Sequence, residues 1–385
     1  MNILIVHNKY KLRGGEERVV ENEEKLLSSH GNTVHIYTRD NRELETYSII
    51  KKIKLSLEII YSFKTIKDIN HILKHNKIDI IHIHNLFPII SPSILYLAKK
   101  HKIPVLLTLH NFRLVGGNPF LMRKGKINED SLRNRNPFKE VRYKSYNNSY
   151  MATFFLALSL WINKKAFLNY IDKYIALTEF AKKKFIEGGF PENKIEVRPS
   201  SLGEFKNMNV KRKLKAIYVG RIAKEKGIKT LINAWKGLNY PLEIYGEGKT
   251  KVKSERNIKI MGLKPINEIK KAMSESAFVI IPSEWYENLP NVLLESYSAG
   301  TPVLTSDSEN LKNLVEKPKA GLTFKMGNSL DLTEKAVYLF KNNKPREKLG
   351  KNAFKEYLRE YKPQRGYESL IKIYKKVINE NNHKK

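Results

Sequence analysis

The chain contains no cysteine, which removes disulfides, thiolate zinc sites and cysteine nucleophiles together. It also lacks any 18-residue apolar run, and its apolar start, ILIV, is far too short for a signal peptide. The expectation is therefore a soluble, cytoplasmic protein. Acidic residues are scarce: 39 Asp and Glu stand against 71 Lys and Arg, a formal net charge of +32. The excess is spread along the chain, with 34 basic and 19 acidic residues in 1–200 and 37 and 20 in 201–385, so no basic tail accounts for it. Such a surface suits an anionic partner, for example a headgroup layer. Arginine, the residue favoured in specific phosphate or base recognition, is the minority cation, and a lysine-rich composition explains the charge equally well.

What is present is a repeated grammar. At 385 residues the chain exceeds the size at which one core usually keeps growing, so two domains are expected, and 41% hydrophobic content can fill both. The first half opens NILIVHNKYKLRGGEERVVENEEKLL and the second KLKAIYVGRIAKEKGIKTLINAWKGL, each an apolar run, a glycine-bearing turn and a helical pattern. TVHIYT, IDIIHIH, PVLLTLH, YIALT, KIEVRP, PLEIYG, IKIMG, AFVIIPS and PVLTS read as further strands. Strands alternating with helical spacers argue βαβ units, and two such series predict an α/β protein of two doubly wound, Rossmann-like parallel-sheet domains. The boundary is placed in SSLGEFKNMNVKRK, giving domains 1–200 and 201–363, with 364–385 as a closing helix.

Two segments bear on membranes. Residues 49–73 place Ile49, Ile53, Leu57, Ile60, Phe63, Ile66, Ile69 and Leu73 at helical spacing with lysines elsewhere, suited to an anionic headgroup layer or to packing on a sheet. MATFFLALSLWINKKAF, residues 151–167, is too short to span a bilayer and reads as a buried helix.

The chemistry-bearing stretch is AFVIIPSEWYENLPNVLLESYSAG. A strand, a loop and a helix with Pro290 pre-set for its first position place Glu287 and Glu295 where open α/β sheets bind ligands. Backbone amides at Asn288, Leu289 and Asn291 can cradle anionic or hydroxyl-rich groups. Glu287 alone fits a favourable charge at a helix start, but Glu295 sits among Val292, Leu293, Leu294 and Tyr297, where a carboxylate needs hydrogen-bond donors such as sugar hydroxyls. In GRIAKEKG, Gly220 permits a strand-end turn, and Arg221 and Lys226 could hold a diphosphate or simply be solvated. Gly14 and Gly15 allow a ligand to approach the backbone or serve a plain turn, and His110 closes an apolar strand at the ligand-bearing edge.

These stretches, with LTLHNFRL, YIALTEFAKKKFIEGGFPENKI and the late GLTF, resemble retaining glycosyltransferases of family 4 (group 1) with the GT-B fold; the Glu-x7-Glu segment within PSEWYE is the most specific part. The resemblance implies two domains facing across a cleft, the second holding a nucleotide-sugar donor and the first a glycan or glycolipid acceptor. It implies that Glu287 contacts the donor sugar and Glu295 the ribose hydroxyls. Arg221 and Lys226 would stabilise the departing diphosphate beside the Gly220 turn, and the amides of Leu289 to Asn291, around Pro290, would face sugar or phosphate oxygens. His110 would line the reaction centre, with Gly14 and Gly15 approaching donor or acceptor. In the nearest branch of that family the insertion after the histidine carries cysteines; this chain reads GKINEDSL and YKSYNNS there, and RPSSLGEF lacks the usual Asn and Asp of the interdomain turn.

No Asp-x-Asp occurs, so neither a metal nor a cofactor is expected, and cations would carry the electrostatic stabilisation of the leaving group. The expected partners are a nucleotide-sugar donor, a glycan or glycolipid acceptor and an anionic membrane surface reached peripherally from the cytoplasm, with no nucleic acid. A sugar-nucleotide epimerase on the same fold and a non-enzymatic polyanion-binding protein are the alternatives.

Overall fold

The computed structural model describes residues 1–11, 14–46, 56–202 and 211–383. They fall into two compact units, one of Met1–Leu121, Asn128–Ser201 and Gln364–Lys385, the other of Met122–Ile127 and Leu202–Pro363. The first unit holds strands β1 (Asn2–Lys9), β2 (Thr33–Asp40), β3 (Ile80–Asn85) and β4 (Val105–Leu109). A short antiparallel hairpin, β5 (Met122–Arg123) and β6 (Lys126–Ile127), groups with the second unit. The first sheet is completed by β7 (Lys173–Ala176) and β8 (Ile195–Val197), in the order β2-β1-β3-β4-β7-β8 with every pairing parallel. Ile3, Leu4, Ile5 and Val6 are all fully buried, because a parallel strand covered on both faces needs successive rather than alternate apolar residues.

The second unit repeats the plan with β9 (Ala216–Val219), β10 (Leu242–Tyr245), β11 (Ile258–Gly262), β12 (Phe278–Ile281), β13 (Val303–Ser306) and β14 (Gly321–Phe324). Its order is β11-β10-β9-β12-β13-β14, again wholly parallel. The two doubly wound sheets expected from the alternating runs are thus observed. From β9 the chain winds outward to β11, then returns to the other side of β9 to begin β12. This reversal leaves a crevice at the carboxyl ends of β9 and β12, the place where such sheets bind ligands. In the first sheet the reversal falls between β1 and β3.

Two helical expectations need correction. Of residues 49–73, positions 49–55 lie outside the described residues. Residues 56–58 form one helical turn, the backbone leaves the helix at 59–62, and a new helix runs Phe63–His75. Ser62 causes the break: its hydroxyl accepts from Thr65 N at 3.3 Å while its own N–H donates to Ser91 Oγ at 2.9 Å, an N-cap that starts a fresh helix. The expected buried helix over 151–167 is two helices, Tyr150–Ile162 and Lys164–Tyr170, bent by 49°. Leu156, Ala157 and Leu160 face the core, whereas Met151, Phe154, Trp161 and Ile162 are exposed. No single helix among the described residues is long and apolar enough to cross a membrane.

The last helix, Pro363–Asn382, is tied to the first unit: Arg198 Nη2 donates to Gly366 O at 3.0 Å and Lys376 pairs with Glu196 at 2.9 Å. A Cβ at Gly366 would lie 2.3 Å from Ser201 Oγ, so only glycine permits this approach.

The second core centres on Trp235, fully buried with Phe278, Leu304 and Phe340 around it and its Nε1 donating to Tyr240 O at 2.9 Å. Trp235→Ala should cost about 3 to 5 kcal/mol, the usual range for a buried aromatic truncated to alanine, read as a lowered midpoint in urea unfolding.

Candidate active site

The loops that follow β9 and β12 meet at the reversal of the second sheet. Gly220 ends β9 with φ +155°, and Tyr218 Oη donates back to Arg221 O at 2.6 Å, closing a tight turn. Glycine is required around it for steric reasons that sequence reading passed over: a Cβ at Gly246 would lie 2.0 Å from Gly220 O, and one at Gly248 2.1 Å from Ile222 O. The only sequence signal is the Gly-Glu-Gly directly after β10. Gly227 has φ +69°, and its Cβ would fall 1.8 Å from Pro282 O. The turn after β9 therefore abuts the end of β12, which brings Lys226 to Glu287.

Glu287 is 5% exposed, and its Oε1 accepts from Lys226 Nζ, from Ser283 Oγ at 2.6 Å and from Trp285 Nε1 at 2.9 Å. Lys226 Nζ also stands 5.0 Å from the centroid of the Trp285 ring. Burial by itself would raise this carboxyl. Lys226, followed by the Ser283 and Trp285 hydrogen bonds, outweighs burial and holds it below its ordinary value. From behind, Asn310 Nδ2 donates to Glu287 O at 2.7 Å and to Asn288 O, while Thr230 Oγ1 donates to Glu284 Oε1 at 2.6 Å. The loop is thus held on both sides.

Glu295 is 2% exposed on the helix Asn291–Ser298. Pro290 is the N-cap of that helix, with ψ 125°, one residue earlier than the expected first helical position. Asn288 and Leu289 are buried and Asn291 is half-buried. The far end of the helix is anchored by Arg212, which sequence reading did not single out: its Nη2 donates to Ala299 O at 3.0 Å and Gly300 O at 2.9 Å, and its Nη1 to Thr301 Oγ1 at 2.6 Å. Arg221 is more exposed, and its guanidinium pairs with Glu225 at 3.1 Å. The structure therefore joins one expected cation to one expected acid, where the sequence assigned the two signs to different ligand groups.

In the first unit, Gly14 caps the helix Gly15–Ser29 and its N–H donates to Glu17 Oε2 at 2.8 Å. A Cβ on Gly14 would come no closer than 3.4 Å to another group, so packing alone does not demand glycine there; Gly15 is exposed. Beside this helix start lies a polar set that the sequence did not flag: Asn111 Nδ2 donates to Glu16 Oε1 at 3.1 Å, and Arg113 Nη2 to Tyr10 Oη at 3.4 Å. Burial raises the Glu16 carboxyl against the pull of Arg113 and His7. His110, at the end of β4, is half-buried and its Nε2 lies 3.0 Å from His84 Nδ1. Burial, followed by neighbouring His84, holds His110 well below the usual histidine range, and burial with His82 pushes His84 down to about 4. Both imidazoles are therefore neutral at pH 7. A small cleft is lined by His84, Asn85, Phe87, His110, Asn111 and Arg113.

Two Rossmann-like sheets, each with polar groups gathered at its reversal, define a doubly wound α/β protein, and comparison with known proteins gives the family. Residues 13–201 match the family described as Glycosyltransferase Family 4, and residues 203–356 match Glycosyl transferases group 1. The chain belongs to this glycosyltransferase family. It is 25% identical to an uncharacterised glycosyltransferase of Methanocaldococcus jannaschii, over 98% of this chain and 99% of that one. It is 26% identical to an uncharacterised 42.6 kDa protein in the cps region of Klebsiella pneumoniae, over 80% of this chain and 85% of that one. Among solved structures, Anabaena HepE in complex with UDP superposes with a TM-score of 0.65 at 14% identity, covering 98% of this chain and all of the other; this likeness is one of fold.

Because the folded carboxyl of Glu287 lies below its unfolded value near 4.5, its contribution to stability is present above that pH and lost as pH falls through the folded value. Glu287→Gln should therefore flatten the acid limb of stability against pH, measured by urea unfolding between pH 7 and pH 3. Gly227→Ala, which forces both φ > 0 and the clash with Pro282 O, should destabilise by about 1 to 3 kcal/mol or more, seen as a lower thermal midpoint.

Proposed function

We propose that the chain is a retaining, metal-independent transferase that moves a sugar from a nucleoside-diphosphate sugar to a hydroxyl of a lipid-linked glycan, in the synthesis of a bacterial surface polysaccharide or glycolipid. The observation that carries this reading is the Lys226–Glu287 pair at the reversal of the second sheet, next to the more exposed Arg221. In retaining transfer the anomeric carbon gains oxocarbenium character while negative charge gathers on the departing diphosphate. Fixed cations beside that charge stabilise the transition state without reorganising. Glu287 keeps Lys226 oriented and offers the donor sugar an acceptor; Glu295 takes the ribose hydroxyls; Arg221, Lys226 and the helix-start amides of Asn288 to Asn291 face the diphosphate. In the first unit, neutral His110 contacts substrate as a hydrogen-bonding group, and the turn of Gly14 and Gly15 admits donor phosphate or acceptor. No cofactor takes part in this scheme. The match to a protein in a cps region and the fold shared with a UDP complex support the donor and pathway class.

The same reading places the protein peripherally on a membrane surface at the cytoplasmic side. Trp161 is 62% exposed and Phe63 78%, with Met151, Phe154 and Ile162 also open and Lys164 and Lys165 exposed beside them. Ser159 Oγ donates to Ile59 O at 2.7 Å, which holds the two segments against each other. Aromatic side chains flanked by lysine suit the interface of an anionic bilayer.

A thermal-shift panel of UDP-, GDP-, ADP- and CMP-sugars without added divalent metal should give one clear stabiliser, by about 2.7 kcal/mol at 100 times its dissociation constant. Glu295→Ala should abolish the shift. Stabilisation by none of them, or turnover of donor with no acceptor present, would overturn the reading in favour of a polyanion binder or an epimerase. In flotation, wild type should rise with anionic vesicles far more than with neutral ones, and Phe63→Ser/Trp161→Ser should stay at the bottom; equal behaviour on both vesicles would refute the membrane face.

A further inference from the structure

His82 and His84 alternate along β3, so both project from one face of the strand, and the helix Gly15–Ser29 lays Glu23 against that face. All three are buried. Glu23 Oε1 lies 3.0 Å from His82 Nδ1 and 3.5 Å from His84 Nε2, and the three donor atoms lie within 4.8 Å of one another. Neither Glu23 Oε1 nor His84 Nε2 has a well-aligned hydrogen bond among the described residues.

The opposite end of each side chain is, by contrast, engaged. Glu23 Oε2 accepts from Arg198 Nη1 at 2.7 Å, His82 Nε2 bonds Thr108 Oγ1 at 2.8 Å, and His84 Nδ1 bonds His110 Nε2 at 3.0 Å. Three donors converging on one point, each held from behind by a hydrogen bond, is the arrangement that protein metal sites use to orient their ligands. For a tetrahedral ion with bonds of about 2.0 to 2.2 Å, neighbouring ligand atoms stand about 3.3 to 3.5 Å apart, and the two measured separations bracket that spacing. His82 Nδ1 itself also hydrogen-bonds the Tyr374 hydroxyl at 2.7 Å, which sets a further oxygen beside the three donors.

We propose that Glu23, His82 and His84 form a buried site for one divalent transition-metal ion of the zinc class. Two imidazoles and a carboxylate suit zinc better than magnesium or calcium, which prefer all-oxygen sets. Such an ion would join the first helix to β3 and, through Tyr374, to the last helix, and would fix the ring of His84 on which His110 rests. The site lies in the first unit and is independent of the diphosphate-binding scheme.

The test is metal content of the untagged full chain, expressed in zinc-supplemented medium so that the ion can load during folding, then dialysed and analysed by plasma mass spectrometry. Wild type should retain about one equivalent per chain, and cobalt grown in its place should give the intense visible bands of a tetrahedral centre. His84→Gln should lose the metal. His71→Gln/His75→Gln, which removes the exposed i,i+4 pair on the helix Phe63–His75, should keep it. If His84→Gln does not fold, Glu23→Gln takes its place, and the cobalt spectrum of wild type decides alone. Folded wild type with less than about a tenth of an equivalent, an octahedral cobalt spectrum, or metal lost only from the His71/His75 variant would overturn the proposal.

Discussion

A carboxylate removed from water must keep company with positive charge and hydrogen-bond donors, and the placement of Glu287 rests on that requirement. Its partners come from two loops that only the reversal of the second sheet brings together: Lys226 from the turn after β9, Ser283 and Trp285 from the loop after β12. The backbone makes the meeting close. Gly227 passes Pro282 with no room for a side chain, and Gly246 and Gly248 let the segment after β10 lie directly on the turn at 220–222. A Cβ at any of these positions would push apart the elements that carry the charges. Topology, glycine placement and charge pairing thus act together: the sheet order sets the two loops side by side, the glycines let their backbones touch, and the ion pair links them.

The first unit follows the same sheet logic with different chemistry. Its ligand-bearing edge offers neutral imidazoles and amide or guanidinium donors rather than a free cation: His110 rests on His84, Asn111 on Glu16, and Arg113 beside Tyr10. Neutrality of the two histidines follows from burial and from their crowding with His82 and His7. A neutral imidazole can donate or accept a hydrogen bond without adding a positive charge to this edge.

Much of this was legible in the sequence where the signal is local. Continuous apolar runs such as ILIV and AFVII announce strands buried on both faces, and the strand-turn-helix repeat announces two doubly wound sheets. Glu287, Lys226 and His110 stand out because each ends or follows such a run. What the sequence hides is partnership between distant positions. Lys226 and Glu287 read as groups for different ligand parts until the fold puts one on the other; Arg212 gathers carbonyls from turns far along the chain; Glu23 meets His82 and His84 only once the first helix packs on β3. Periodicity also misled where a local hydrogen bond outweighed it: the stripe through residues 57–73 continues across Ser62, yet the Ser62 cap ends one helical turn and starts another helix. At 151–167 hydrophobicity alone suggested burial, but only one side of the helix meets the core.

The claim on which the account turns is that Glu287 orients Lys226 for an incoming diphosphate. Calorimetric titration of the preferred nucleoside diphosphate into wild type, Lys226→Met, Glu287→Gln and the double variant measures it directly. Loss of one charge-assisted contact predicts affinity lower by about 10-fold or more in Lys226→Met, a smaller loss in Glu287→Gln, and a double variant no weaker than Lys226→Met alone. Strictly additive losses, or undiminished affinity without Lys226, would contradict it.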